Sequence, residues 1–263
     1  MKGMLKADIR RAFGTGIWYI AGAMMLLQVM CLLNYLPYPY DSVVALLDFS
    51  TGIGRFQTLS PIAACLGFST SFYRDQKTGF GTMQRTRATA RQYCLSKCIA
   101  CALSAMCGVA ICMWALVAMF RLGGHPLLDV EASTDQAKME FATMGTLLTS
   151  GHIYLYIAIL IFYRALATGA WALIGLWVSA WMPNIFAILM LPYMFIFATV
   201  YILTDRLKWP ISIYKLEYGR VEGLPSMQFE FVLTVVVFVS LMALFSYLFT
   251  KCVFRRYCLC KTR

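Results

Sequence analysis

The chain of 263 residues is 60% hydrophobic and 13% charged, and its formal net charge is +11. A soluble domain has roughly half apolar and a quarter charged residues, so the composition excludes an ordinary soluble protein. The basic excess lies beside apolar stretches, where membrane topology and anionic lipid account for it. We therefore expect membrane lipid, and no nucleic acid, among the partners of this chain.

The chain begins with the sequence MKGMLKADIRRAF, residues 1–13. Met4, Ile9 and Phe13 recur about every four residues with basic residues between them, which predicts an amphipathic helix at the membrane interface. Residues 17–36 carry no charge and are long enough to span the bilayer, which takes about 20 apolar helical residues. No small-residue cleavage site follows a short apolar core, so we expect a membrane span and no cleaved signal peptide.

Uncharged stretches later in the chain predict further membrane spans. Residues 165–204 are too many for one crossing, and the sequence Trp181-Met182-Pro183-Asn184 predicts a turn between two helices. The predicted spans after the first are 56–73, 98–120, two within 165–204, and 231–250, which makes six in one all-α membrane domain covering residues 1–263.

The distribution of basic residues favours six spans with both termini in the cytoplasm. Fifteen of the 23 Lys and Arg residues then lie in cytoplasmic segments, and seven lie outside together with ten of the twelve acids. Residues 141–163 are also uncharged, but a seventh span would place the basic C-terminal tail outside. We expect a helix break there, with residues 141 to about 155 at the outer interface or packed as a half-helix. The predicted extracytoplasmic segments are 121–155 and 204–229.

Three cysteines, Cys94, Cys98 and Cys101, have the C-x3-C-x2-C spacing by which radical enzymes hold an iron–sulfur cluster. In a helix these three positions lie on one face but are spread over about 10 Å along the helix axis. An iron–sulfur cluster instead needs thiolates that converge from a loop. We therefore interpret them as small side chains that pack between helices, and we expect no metal site. Acylation remains an alternative for the cysteines of the C-terminal tail.

Few residues are candidates for chemistry or substrate contact. The chain lacks a phosphate-binding P-loop, an H-E-x-x-H motif and a G-x-S-x-G motif, so we expect no catalytic residue. Arg164 is the one charge inside an apolar stretch, and it either reaches the outer interface beside Tyr163 or serves a polar pathway or a lock between helices. Trp209, Tyr214 and Tyr218 are candidates for an outer gate, and an interfacial loop with aromatic anchors is the alternative.

The segment between the second and third predicted spans, residues 74–97, is the most basic cytoplasmic piece of the chain. It is too short for a catalytic domain and too long for a simple turn. Such a segment can dock into a groove of another protein, and a solvated connector is the alternative. In chain order it contains Asp75, Gly79, Thr82 and Met83, a short run that could form a helix, and then Arg91, Tyr93, Ser96 and Lys97.

This order resembles the membrane subunits of ABC-2-type ABC transporters. Their corresponding segment runs from an acid through a Gly-Thr-like start and a weakly apolar helix to a Ser-Arg-x-x-Tyr-x-x-x-Lys-like ending. The likeness extends over the whole chain, in the amphipathic start, the six spans and the turn of small residues and Asn at 179–184. Asp75 stands where the family usually has Glu, and Arg85 and Arg87 stand where aliphatic residues are common. The residues that the resemblance assigns to contact with an ATPase are Asp75, Gly79, Arg85, Arg87, Arg91, Tyr93 and Lys97.

The resemblance implies a permease subunit of the plasma membrane that has no catalytic activity of its own. A separate ATPase subunit would bind ATP and Mg²⁺, and a second permease subunit, the same or homologous, would complete the transporter. The exported substrate would be a peptide, a lipid or a drug-like molecule. The alternatives are a membrane enzyme acting on lipid and a peptide-binding immunity or signalling protein without an ATPase partner.

Overall fold

A computed structural model describes residues 2–34, 42–52, 55–79, 89–129, 135, 139, 144–206, 213–218 and 226–261. These residues are helical and include no strand, which confirms the all-α class. Four helices among them, covering 3–33, 90–122, 153–181 and 227–255, are long and apolar enough to cross a membrane. The described part of the chain is therefore that of an all-helical membrane protein.

The N-terminal helix is continuous with the first span. Helix α1 (Lys2–Arg11) leads through a π-helical turn (Ala12–Gly16) directly into α2 (Ile17–Asn34). Helix α1 covers most of the amphipathic helix predicted over residues 1–13, and its position at the membrane interface stays a prediction. Helix α1 packs against α6 (Ala90–Leu122).

The second predicted span, residues 56–73, is broken in the structure. Helix α4 (Arg55–Cys65) ends in turns, α5 (Ser71–Lys77) follows, and α3 (Val43–Gly52), which the sequence pattern did not predict, precedes them. One reason for the break is Ser69, whose hydroxyl donates to the carbonyl of Ala172 at 2.8 Å and so ties the turn to a neighbouring helix.

The third span is longer than predicted. Helix α6 begins at Ala90, eight positions before the predicted start at 98, because Thr89 caps it by accepting a hydrogen bond from the Gln92 amide at 3.4 Å. Much of the predicted cytoplasmic loop 74–97 is therefore helical, with its first residues in α5 and its last ones in α6. Residues 80–88 lie outside the described part of the chain.

The predicted helix break before the fourth span is confirmed. Helix α7 (Gly145–Thr149) ends in a turn in which Gly151 has φ 79°, and α8 (Ile153–Trp181) begins directly after it. The neighbouring helices reach into the predicted extracytoplasmic segment 121–155, since α6 extends to Leu122 and α8 begins at Ile153. The predicted turn after α8 is also confirmed, because Asn184 caps α9 (Ile185–Val200) by accepting from the Phe186 amide at 3.0 Å.

The C-terminal third has three further elements. A π-helical turn (Tyr201–Arg206) continues α9, and a short helix α10 (Ile213–Tyr218) lies within the predicted outer segment 204–229. The last helix, α11 (Met227–Lys261), is longer than the predicted span 231–250 at both ends.

Helix α8 lies at the centre of the bundle and contacts α4, α6, α9 and α11. It is apolar on all sides and largely buried, as expected of a helix surrounded by others. Gly175 marks its closest approach to α4, because a Cβ added there would lie 2.6 Å from Cys65 Sγ and 3.2 Å from Ser69 Cβ.

We expect the substitution Gly175→Ala to destabilise the protein by about 1–3 kcal/mol, because the added methyl group overpacks this contact. Gly22→Ala is the matched control, since a Cβ at that helical position meets no atom within 4 Å. Thermal unfolding of both variants in detergent measures the difference. Equal melting temperatures would contradict the close packing at Gly175.

Candidate functional site

A buried cluster of charges joins α1, α5 and α6 at one end of the bundle. Lys97 Nζ lies 3.0 Å from Asp8 Oδ1 and 2.7 Å from Asp75 Oδ2. All three side chains are at most 1% exposed. These contacts of Lys97 are ion pairs whose angles fall outside hydrogen-bond geometry. Arg11 Nη2 donates a hydrogen bond to Asp75 Oδ1 at 3.0 Å. With Arg11 included, the group contains two acidic and two basic side chains, so their charges cancel.

Polar and aromatic groups surround these charges. The Ser96 hydroxyl donates to Asp8 Oδ2 at 2.6 Å, and the Tyr93 hydroxyl donates to Asp75 Oδ2 at 3.4 Å. Lys97 Nζ also lies 4.8 Å from the centre of the Phe68 ring, within cation–π range. A buried charge is tolerated only with such partners. We refer to Asp8, Arg11, Asp75, Tyr93, Ser96 and Lys97 as the Lys97 cluster.

The structure brings together only part of the predicted coupling set. Asp75, Tyr93 and Lys97 are neighbours that are buried within the chain. Gly79 and Arg91 are exposed, and Gly79 has φ 71°, a conformation that favours glycine. The predicted coupling residues that lie outside the described part of the chain are Arg85 and Arg87.

Sequence reasoning missed Asp8, Arg11 and Ser96 as members of this cluster. Asp8 and Ser96 are 88 positions apart, and no local pattern predicts such a pairing. One signal was present, because Asp8 and Asp75 are the two acids that fall in the basic segments of the chain. An acid isolated among lysines and arginines beside a membrane span is a reason to look for a buried partner.

Arg164 forms the centre of a second buried cluster. It lies about three turns inside α8 and is 1% exposed. Its Nη2 donates to Thr51 Oγ1 at 3.0 Å and its Nη1 to the Thr51 carbonyl at 3.4 Å, and the guanidinium lies 5.7 Å from the centre of the Phe56 ring. Arg164 therefore joins α8 to α3 and α4, which agrees with a lock between helices.

A buried acid, Glu217 on α10, lies close enough to Arg164 to interact with its charge. Its side chain is 2% exposed. Burial raises the pKa of Glu217 to about 7 from its usual 4.5, and the charge of Arg164 opposes part of this shift. Arg164, Thr51, Phe56 and Glu217 form the Arg164 cluster.

The raised pKa of Glu217 predicts a pH dependence of stability. The folded state holds the proton more tightly than the unfolded state, so stability falls as pH rises from about 4.5 to about 7, by about 3 kcal/mol in total. We expect Glu217→Gln to remove most of this fall, whereas Lys215→Gln, an exposed change on the same helix, leaves it in place. Melting temperatures of the three proteins between pH 5 and pH 8 measure the effect. The same pH dependence in all three would contradict it.

The predicted outer gate is described only in part. Trp209 lies outside the described residues, and Tyr214 and Tyr218 fall within α10. Helix α10 contacts α8 and α11 and buries Leu216 and Glu217. This part of the outer segment is therefore packed onto the bundle.

The three cysteines with iron–sulfur spacing all lie on one helix, α6, and are buried. Cys101 Sγ donates to the Ala172 carbonyl at 3.6 Å, which is a packing contact with α8. Among the described residues, no group of three or more His, Cys, Asp or Glu side chains could hold a metal ion.

Comparison with known proteins finds no matching family model and no significant similarity to a curated protein or to a solved structure.

Proposed function

We propose that this chain is the membrane-spanning subunit of an ABC transporter that exports a peptide, a lipid or a drug-like molecule. The chain crosses the plasma membrane six times and has both termini in the cytoplasm. The broken segment α3–α5 and the α9 helix with its π-helical turn provide the two crossings beyond the four long helices. ATP and Mg²⁺ bind to a separate ATPase subunit, and a second permease subunit, the same or homologous, completes the transporter.

The observation that carries the proposal is the position of the Lys97 cluster. Its ion pairs connect α5 and α6, the two helices on either side of the segment that resembles the ABC-2 coupling region. The same ion pairs hold α1, which is continuous with the first span. A force applied to this segment by an ATPase would therefore move three helices as one unit, since breaking a buried ion pair costs several kcal/mol.

Site-specific photocrosslinking tests the partner directly. A photoreactive amino acid placed at the exposed position of Arg91 is expected to crosslink in cells to a protein that contains a P-loop. The control is the same amino acid at Tyr154, which is 59% exposed and lies in the first turn of α8. Crosslinking to an ATPase from neither position, or equally from both, would contradict the proposal.

Arg91 is also the best position at which to separate coupling from folding, because its side chain is exposed. In the reconstituted transporter we expect Arg91→Ala to leave ATP hydrolysis near the unmodified rate and to lower transport by about tenfold, a coupling of roughly 1.4 kcal/mol. Lys6→Ala, an exposed change on α1, is the control. Transport at the unmodified rate in Arg91→Ala would remove this residue from the coupling surface.

A further inference from the structure

A cavity of about 300 Å³ lies between the π-helical turn that follows α1 and the turn that precedes α5. Among the described residues that line it, three are arginines, Arg10, Arg11 and Arg74, and none is acidic. Because three like charges face one space, an anion there would be strongly favoured. The cavity adjoins the Lys97 cluster through Arg11.

The three arginines differ in how far their charges are already neutralised. Arg11 is paired with Asp75 and, at 4.0 Å, with Asp8. Arg74 donates to neutral oxygens only, to Thr70 Oγ1 at 2.7 Å and 3.1 Å and to the Gly67 carbonyl at 3.5 Å. Arg10 makes no ion pair with any residue that the structure describes. The site therefore holds about two positive charges that the protein does not balance.

A buried donor lines the same cavity. Ser71 is 5% exposed, and its hydroxyl oxygen has no hydrogen-bond partner in the described part of the chain. A buried hydroxyl without a partner costs free energy, which a ligand with acceptor oxygens would recover. Two guanidinium groups whose charges are not paired with an acid, beside a hydroxyl without a partner, are the chemistry that binds a phosphate group.

Exposed aromatic side chains beside the cavity indicate that it lies near lipid headgroups. Tyr19 lines it and is 62% exposed, and its neighbour Trp18 is 65% exposed. Both begin the apolar part of the helix 3–33 that is long enough to span the membrane. Tyrosine and tryptophan at this position of a span mark the membrane interface. A phosphate bound here would therefore belong to a lipid whose acyl chains lie along α2.

We propose that this cavity is a binding site for the headgroup of an acidic phospholipid, with Arg10, Arg74 and Ser71 holding the phosphate. A lipid bound there would bridge α1 and α5, the two helices that the Lys97 cluster also joins. The inference does not depend on the transporter assignment, since it rests on the cavity, its lining residues and the apolar helix beside it.

Native mass spectrometry of the full chain in detergent, titrated with dioleoylphosphatidylglycerol, tests the site. We expect Arg10→Gln/Arg74→Gln to weaken binding by about tenfold or more, given roughly 1 kcal/mol for each arginine near a lipid phosphate. Lys6→Gln/Lys251→Gln removes the same charge at exposed positions outside the cavity and is expected to bind the lipid as the unmodified chain does. Equal weakening in both double variants would overturn the proposal, because it would show attraction by surface charge alone.

A second variant keeps every charge and fills the cavity. Gly14 lines the space, and a Cβ there meets no atom within 4 Å, so Gly14→Leu is expected to fold and to lose phosphatidylglycerol binding. Two further ligands distinguish the sources of phosphate. Dioleoylphosphatidylcholine is expected to bind weakly, and glycerol phosphate is expected not to compete. The proposal of a lipid headgroup site would be overturned if glycerol phosphate competed at a concentration similar to that of the lipid. It would also be overturned if Gly14→Leu bound the lipid with the affinity of the unmodified chain.

Discussion

Replacing Lys97 with methionine is expected to destabilise the protein by about 3–5 kcal/mol, because Asp8 and Asp75 would remain buried without their shared cation. Methionine conserves most of the side-chain volume, so the loss reports the charge and not a cavity. The measurement is the melting temperature of the variant in detergent, followed by size-exclusion chromatography. Lys6→Met, an exposed lysine on α1, is the matched control and is expected to have little effect.

A compensating substitution separates the charge from other effects of the change. In Lys97→Met/Asp8→Asn one acid and one base remain, Asp75 and Arg11, which are paired at 3.0 Å. We expect the double variant to be more stable than Lys97→Met alone, because no unpaired buried charge is left. A double variant less stable than the single one would show that Asp8 and Lys97 do not act as an ion pair.

Replacing Arg164 with methionine has the second largest expected effect, also about 3–5 kcal/mol. The change removes the hydrogen bonds from α8 to Thr51 and the cation whose charge opposes the raised pKa of Glu217. Melting temperatures in detergent at pH 7.5 measure the loss. Arg121→Met is the control, since Arg121 is exposed and its guanidinium donates to the nearby His125 carbonyl.

The electrostatic part of this loss is tested by a second substitution. Arg164→Met/Glu217→Gln is expected to recover part of the stability at pH 7.5, since glutamine removes the buried acid that has lost its cation. If the double variant is no more stable than Arg164→Met, the loss of stability comes from the Thr51 hydrogen bonds alone.

Charge-free stretches and local turn residues were sufficient to predict much of the fold. The membrane spans now described by α2, α6, α8 and α11 follow from apolar length, and the turn after Trp181 follows from Pro183 and Asn184. The break before Ile153 followed from length, because one helix from 141 to 181 would be about 60 Å long. These features depend on neighbours along the chain, which a sequence displays directly.

The parts that sequence analysis missed depend on contacts between distant residues. The break between α4 and α5 involves a hydrogen bond from Ser69 to Ala172, which are 103 positions apart. The sequence pattern placed Lys97 at the boundary of a span and Asp75 in a contact with an ATPase. In the structure both are buried, and Lys97 is paired with Asp75 and with Asp8 of α1. Composition and periodicity carry no information about such pairs, since either residue alone is as expected in a solvated loop.

The central claim is that this chain works with a separate ATPase, and purification of the intact complex tests it most directly. The chain would be isolated from its own membranes in mild detergent, with and without a nonhydrolysable ATP analogue, and its bound proteins would be identified and quantified by mass spectrometry. The account predicts one P-loop ATPase for each permease chain. A chain that purifies under both conditions without any ATPase would contradict the transporter assignment and leave residues 78–89 as a connector between α5 and α6.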